Sequence, residues 1–319
     1  MTSSPESDGG VLALAGGVGG AKLALGLARV LPADRLTVVV NTGDDEVFHG
    51  LHVSPDLDTV MYTLAGLANP ETGWGLAGDT FNSLAMLRQL GSDAWFNLGD
   101  RDLATHIRRT QLLNQGVTLS QVTASLSRAL GVDHGIIPMS DDPVRTVVAT
   151  NEGDLPMQEY FVKRQAEPVA TGISYCGAQS AEPSPGFVDA INQANRLVLC
   201  PSNPSLSLGP ILAVNGVRRH LETFNGLRVA VSPIVAGAAL RGPAVKIMAE
   251  LGEDPSCLGV ARQYAGICDY FLIDHQDASL APAIEDLGMA VVVASIIMST
   301  EYDKVALAQE ILDLPGVVA

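Results

Sequence analysis

Positive charge is what this sequence has least of. Nineteen Lys and Arg stand against 35 Asp and Glu in 319 residues, a net charge of −16. No basic stripe is present to release counterions, which excludes a nucleic-acid backbone as the expected partner. Wherever such a chain binds anions it needs cations to do so. Cysteine is also scarce: Cys176, Cys200, Cys257 and Cys268 form no CxxC pair, and no His stands at zinc-finger spacing. They read as buried reduced thiols of a cytoplasmic protein. No apolar run reaches the ~18 residues of a membrane span; the longest, near residues 290–298, is too short, so no membrane partner is expected. The first ten residues lack a basic n-region and an apolar h-region, and read as a short disordered lead, not a signal peptide. There is no internal repeat and no low-complexity segment.

What is present is a chain 47% hydrophobic and only 17% charged, with 32 glycines. That profile fits an α/β enzyme with a buried sheet and small-residue turns. A chain of this length can form one large domain or two, and buries roughly 75% of its unfolded surface.

The organisation follows from short apolar runs and their punctuation. Residues 11–15 end in Gly16-Gly17-Val18-Gly19-Gly20, a helical pattern covers 21–31, and 36–40 is a second buried-type strand. The opening is therefore β-loop-α-β on a parallel sheet. Helices are expected at 56–67, 80–90, 103–113 and 119–130, with Asp56 and Asp79-Thr80 as caps of the first two. Residues 144–150 and 159–163, separated by a turn, predict a hairpin. The sheet rhythm returns at 197–200, 228–231, 270–273 and 290–294, with helices between and a closing helix at 301–312. The expected fold is α/β, a Rossmann-like, mostly parallel sheet flanked by helices. Residues 1–102 and 166–319 form the core, and 103–165 an inserted helical-plus-hairpin cap.

Three acidic clusters crowd the first third: Asn41-Thr42-Gly43-Asp44-Asp45, Pro55-Asp56-Leu57-Asp58-Thr59 and Leu98-Gly99-Asp100-Arg101-Asp102. Each follows an expected strand or opens an expected helix. Any one of Asp44, Asp45, Asp56 and Asp58 alone reads as a surface charge or a helix cap. As a set they can converge above the carboxyl end of the second strand, where grouped carboxylates repel unless a cation sits among them. A magnesium-diphosphate site needs one or two of them, and a base for a hydroxyl nucleophile needs one more.

The glycine turn narrowly misses two fingerprints. As a Walker loop it has Ala21 in place of the last Gly and Leu23 in place of Ser or Thr; as a dinucleotide turn it has Lys22 in place of the third Gly. The physics of both survives, since glycines let a phosphate approach and the following helix aims free N–H groups at it. A tight strand-helix turn without a ligand is the alternative. His49 and His52 flank Gly50 and read as structural or substrate-contacting. Asp100-Arg101-Asp102 with His106 is either an ion-pair network fixing a turn or an anion contact through Arg101 or His106. The run of residues 201–210, with Asn203, Ser205 and Ser207, follows a strand and suits a base or ribose, or is simply a turn.

Taken together, these segments resemble the 2-phospho-L-lactate transferase family of deazaflavin-cofactor biosynthesis (CofD/FbiA type). The likeness runs from about Leu12 to the closing helix through GGVGGAKLALGL, VVVNTGDD, HGLHVSPDLDTVMYTLAGL, GWGLAGDTF, LGDRDLATHIRRT, PMSDDPVRT, PSNPSLSLGPIL and VSPIVAGAALRGPAVKIM. It departs at Val18 and Gly20, where many archaeal relatives carry Thr, and at Asn97, where some carry a basic residue. The resemblance implies transfer of a phosphorylated three-carbon acid from a guanosine diphosphate-linked donor to the ribityl hydroxyl of the deazaflavin Fo, releasing GMP, with Mg2+ as cofactor. It implies donor contacts at Gly17, Val18, Gly19, Gly20, Lys22, Asn203, Ser205 and Ser207, and metal ligands Asp44 and Asp56. Asp58 and Asp45 would be catalytic, and Fo would meet Asp58, Asn97, His49 and Thr59. A homodimer is expected. The rival is a non-catalytic nucleotide-sugar-binding regulator of the same superfamily, the gluconeogenesis-factor type, against which the LGDRD and SPDLDT segments argue. An ordinary NAD-dependent dehydrogenase is disfavoured by Asn41, where an acidic residue would hold the ribose.

Overall fold

The computed structural model describes residues 9–240 and 242–316; the polar lead before residue 9 lies outside them. Seven strands form the central sheet: β1 (Gly10–Ala15), β2 (Leu36–Val40), β3 (Gly135–Pro138), β4 (Ala194–Leu199), β5 (Leu227–Val231), β6 (Tyr270–Asp274) and β7 (Ala290–Ala294). All neighbours are parallel, in the order β7-β6-β5-β4-β1-β2-β3. The strands read as continuous apolar runs because both faces are covered. Along β1, Leu12 and Leu14 enter one core while Ala13 and Ala15 enter the other; β2, β4 and β6 alternate in step with it.

The helices form near the expected places. Thr118 and Thr300 open the fifth and the closing helix with side-chain caps, whereas the residues before the first four supply none. α1 (Gly17–Val30) begins inside the glycine turn, ahead of the expected start at residue 21; α2 (Pro55–Leu64) carries Pro55 in its first turn, where the missing N–H costs nothing. α3 (Asn82–Gln89) and α4 (Asp102–Asn114) follow, then α5 (Leu119–Ala129), which opens on a Thr118–Gln121 capping box. The closing helix, Glu301–Asp313, has a second box, Thr300–Asp303, and lies so close against α1 that a Cβ on Gly26 would overlap the Lys304 carbonyl.

The boundaries expected for the inserted cap do not coincide with the layers. β3 lies inside residues 103–165 yet pairs with β2 at the sheet edge, Val38 opposite Ile136. α4 and α5 are thus part of the β2-to-β3 crossover, and α5 packs on β3. Four residues ending in Pro138 are too short a run to announce a strand. What stands apart is an antiparallel sheet of Arg145–Thr150, Gly153–Pro156 and Ala170–Cys176, whose third strand comes from beyond residue 165. The hairpin expected between 144–150 and 159–163 instead closes through residues 151–152, with Thr150 opposite Gly153. Residues Glu159–Lys163 form a wide helical turn.

Candidate active site at the switch point of the sheet

The chain winds outward from β1 to β2 and β3, and from β4 to β7 on the other side, so the carboxyl ends of β1 and β4 open a crevice between them. Gly16 and Ser202 lock its floor: the Gly16 N–H donates to Ser202 Oγ at 3.0 Å, and the Ser202 hydroxyl donates to the Gly16 carbonyl at 2.8 Å. Above them lies a cleft of about 640 Å³.

The glycines of the turn do two jobs. Gly17 has φ +60°, a backbone conformation that favours glycine. At Gly16, Gly19 and Gly20 an added Cβ would collide with Asp56 and Ser207, with the Pro201 carbonyl, and with Ser202, respectively. They let α1 press against the segment after β4. Gly17, Val18, Gly19 and Lys22 line the cleft, whereas Gly20 is buried behind it. The Lys22 ammonium donates to the Met298 carbonyl at 2.8 Å. No side chain of the capping residue serves the first turn of α1; the Asp56 carboxylate instead lies near the Gly17 N–H, which favours its charged form. An acidic group of the protein thus rests where a helix N-terminus receives an anion.

Asp44 and Asp56 are both buried and both line this cleft. One nitrogen joins them: Asn41 Nδ2 donates to Asp44 Oδ1 at 3.0 Å and to Asp56 Oδ2 at 2.9 Å, while Asn41 Oδ1 accepts from the Gly43 N–H at 2.7 Å. Gln158 Nε2 adds a donor to Asp44 Oδ2 at 3.2 Å. Burial drives the Asp44 carboxyl well above its ordinary range, and the charges of Asp56 and Asp45 push it further. Burial lifts Asp56 to about 6, against the opposing pull of Asn41 and the Gly17 N–H. Two desolvated carboxylates that resist ionising together fit a divalent cation, which would take the place of the missing counter-charge.

Beside them sits a second, cation-satisfied group. The Arg109 guanidinium, 1% exposed, forks onto both oxygens of Asp58, with Nη1 3.0 Å from Oδ2. His106 Nδ1 lies 3.3 Å from Arg109 Nη1 and 3.6 Å from Asp58 Oδ2, and its Nε2 lies 3.3 Å from Asp102 Oδ1. The Tyr62 hydroxyl donates to Asp102 Oδ1 at 2.7 Å. Asp58, Asp102 and His106 have spacing that could hold a metal, their ligand atoms lying within 4.8 Å of one another. Arg109 already supplies positive charge there, whereas Asp44 and Asp56 have no such cation and could hold one.

Other expected site residues divide. Thr59, Asn97, Asn203 and Ser207 line the cleft with Trp74 and Phe96. Ser205 does not; its N–H bonds to Asn203 Oδ1 and its carbonyl accepts from Tyr175. Asp45 faces a separate hollow of about 200 Å³ shared with His52, whose Nε2 lies 3.0 Å from Asp45 Oδ2. His49 stands exposed at the tip of the hairpin Glu46–Phe48/Leu51–Val53, beside Ser92. Of the two readings of Asp100-Arg101-Asp102, the turn-fixing one describes Asp100. It receives Thr80 Oγ1 and the Asn82 and Ser83 N–H groups at the start of α3, while Asp79 receives the Arg101 and Asp102 N–H groups at the start of α4. Arg101 reaches the Ala77 carbonyl.

Sequence reasoning passed over Arg109, Tyr62, Gln158 and the bridging role of Asn41. One signal was available: Asp102, His106 and Arg109 stand at i, i+4 and i+7, one face of a helix, and all three are buried.

Fold and site together define a doubly wound α/β protein in which paired carboxylates face a glycine-turn helix across the switch-point crevice. The chain belongs to the 2-phospho-L-lactate transferase CofD family, whose pattern matches residues 11–294. A phosphoenolpyruvate transferase of Streptomyces griseus is 42% identical over 310 residues, covering 95% of this chain and 98% of that one. A 2-phospho-L-lactate transferase of Methanothermobacter thermautotrophicus is 40% identical over 302 residues, covering 95% and 97%. Among solved structures, a UPF0052-family protein of Bacillus halodurans superposes with a TM-score of 0.62 at 14% identity, over 96% of this chain and 99% of that one, a likeness of fold. Among the described residues no helix is long and apolar enough to cross a membrane.

Proposed function

We propose that this protein is a magnesium-dependent transferase moving a phosphorylated three-carbon acid from a guanosine diphosphate-linked donor to the ribityl hydroxyl of the deazaflavin Fo, with release of GMP. The acid would be 2-phospholactate, phosphoenolpyruvate or phosphoglycerate; relatives named for the first two match this chain about equally in identity and coverage. The observation that carries the reading is one juxtaposition. The start of α1, the Asp44–Asp56 pair and the Asp58 carboxylate all border a single cleft, which Trp74 and Phe96 also line.

In this reading the donor phosphates displace Asp56 from the Gly17 N–H and lie along Gly17, Val18 and Gly19, with Lys22 adjacent. Asn203 and Ser207 meet the guanosine. The deazaflavin ring lies toward Trp74, Phe96 and Asn97, which brings its ribityl chain past Thr59 to Asp58. A magnesium ion held by Asp44 and Asp56 would neutralise phosphate charge and stabilise the leaving oxygen. The ribityl oxygen bonds to the acid-bearing phosphorus as the bridging P–O bond breaks, and that electron pair leaves on GMP. Both oxygens of Asp58 already accept from Arg109. Asp58 therefore serves best by accepting the hydroxyl's hydrogen bond and aiming its lone pair, with the proton released as the new bond forms.

The test is an end-point assay of purified protein, Fo and magnesium with each of the three guanosine-linked donors. A product with the mass of the acid-phosphate ester of Fo, formed with one equivalent of GMP, supports the reading and identifies the acid. No product from any donor, with tight nucleotide binding, would favour the regulator.

A further inference from the structure

The chain carries a buried network that the reaction as proposed does not use: Arg109, His106 and Asp102, one face of α4, and Tyr62 of α2. Arg109 is nearly inaccessible and, unlike Tyr62, Asp102 and His106, does not line the cleft, so it meets no ligand. A guanidinium is taken out of water only when its partners are well placed. Here those partners fix the side chain the reaction depends on. A guanidinium fork on both oxygens of Asp58 leaves its carboxylate plane no freedom to rotate, which a lysine's single point charge would not achieve.

The rest of the network holds Arg109 and His106 in turn. With Arg109 Nη1 donating to His106 Nδ1, the ring proton belongs on Nε2, facing Asp102 Oδ1. Tyr62 donates to the same Asp102 oxygen, and its hydroxyl lies 2.7 Å from Thr105 Oγ1. Burial, then the charges of Asp58 and Asp102, push the Tyr62 hydroxyl far up, so it stays a neutral donor. Every group from Tyr62 to Asp58 is a side chain on α2 or α4, hydrogen-bonded to the next except between His106 Nε2 and Asp102 Oδ1, which lie 3.3 Å apart as an electrostatic contact only. The network therefore clamps these two helices together at the wall of the cleft.

We propose that Arg109, seconded by His106, is a positioning residue: it sets the direction of the Asp58 carboxylate and thereby the alignment of the attacking hydroxyl. This rests on the reading of Asp58 given above. A misplacement of about 1 Å at such a group costs on the order of 10²-fold in rate while binding is largely kept.

Two measurements on Arg109→Lys and on Tyr62→Phe test it. Kinetics of the full-length protein with Fo, magnesium and the preferred donor should show kcat down about 100-fold for Arg109→Lys, with KM for either substrate within about threefold. Tyr62→Phe, which buries no charge, should lose about tenfold in kcat, in the range of second-tier partners. Crystal structures of the two variants should show the Asp58 carboxylate turned or split between positions in Arg109→Lys and unsplit in Tyr62→Phe. A purely structural role for Arg109 would lower the melting temperature and the folded fraction but leave kcat per folded molecule and the Asp58 position unchanged, and would overturn the proposal. The crystallographic arm does not depend on turnover. If wild-type protein made no product, the transfer reading would fail, while an unmoved Asp58 in Arg109→Lys would separately refute the positioning role.

Discussion

Asp44 and Asp56 hang from a single amide nitrogen, that of Asn41, at 3.0 and 2.9 Å. Two buried carboxylates held this close, one of them on the first turn of α2, make the fold pay an electrostatic cost when no cation is present. The Asp56 carboxyl is raised from 3.8 to about 6, so its ionised form is disfavoured in the folded state. The cost is fully present above pH 6 and fades as pH falls toward the unfolded-state value. Metal-free protein should therefore gain on the order of 1 kcal/mol between pH 8 and pH 5 from Asp56 alone, with Asp44 acting in the same direction. Thermal denaturation in chelator across that range checks it. Added magnesium should raise the melting temperature at pH 8 and do much less at pH 5, where it competes with protons. An equal magnesium effect at both values would argue against these ligands.

The glycine turn separates into a position that needs conformation and positions that need room. Gly17→Ala has only Asp56 Oδ1 nearby, at 3.8 Å, and suffers chiefly from its φ of +60°, a cost of roughly 1–2 kcal/mol. Gly19→Ala drives a Cβ into the Pro201 backbone carbonyl, which no rotamer change relieves, and should cost about 3 kcal/mol. Denaturant midpoints of the two variants should therefore rank Gly19→Ala as the less stable, and equal midpoints would contradict the packing account.

Asp79 and Asp100 cap each other's helices, Asp100 at the start of α3 and Asp79 at the start of α4. Asp79→Ala should cost about 1 kcal/mol, the usual value of a lost N-cap acceptor. Because α3 precedes Phe96 and Asn97 at the cleft wall, Asp100→Ala should loosen that wall. Hydrogen exchange over residues 82–98 should speed up in Asp100→Ala, while exchange in β1 and β4 stays unchanged.

Thiol chemistry gives an independent check on burial. Cys200, Cys257 and Cys268 are buried, and burial pushes their thiols up, Cys257 to about 12. Cys176 is exposed at the end of the antiparallel sheet. Alkylation of native protein at pH 8 should modify one thiol quickly and the other three only after unfolding.

Local signals in the sequence carried much of this architecture. Continuous apolar runs marked six of the seven parallel strands, but the caps expected at Asp56 and Asp79-Thr80 did not form: α2 follows Ser54 and α3 follows Phe81, neither with a side-chain cap of its own. β3 escaped because four residues ending in proline carry no period. The approach of Asp44, Asp56 and Asp58 to one cleft followed from strand ends and helix starts. The division of labour among them did not, because it depends on contacts distant in sequence. Arg109 selects Asp58 across 51 positions, and Gln158 reaches Asp44 across 114. Asp45, adjacent to Asp44 in sequence, turns to His52 and Ser54 and leaves the cleft.

The most direct test of the account is a crystal structure grown with GDP and manganese in place of magnesium, with the ion located by anomalous scattering. The account predicts one peak bound by Asp44 and Asp56, bridged to a diphosphate lying along Gly17–Gly19. A peak at Asp58, Asp102 and His106 with Arg109 swung aside, or a diphosphate bound away from the start of α1, would contradict it.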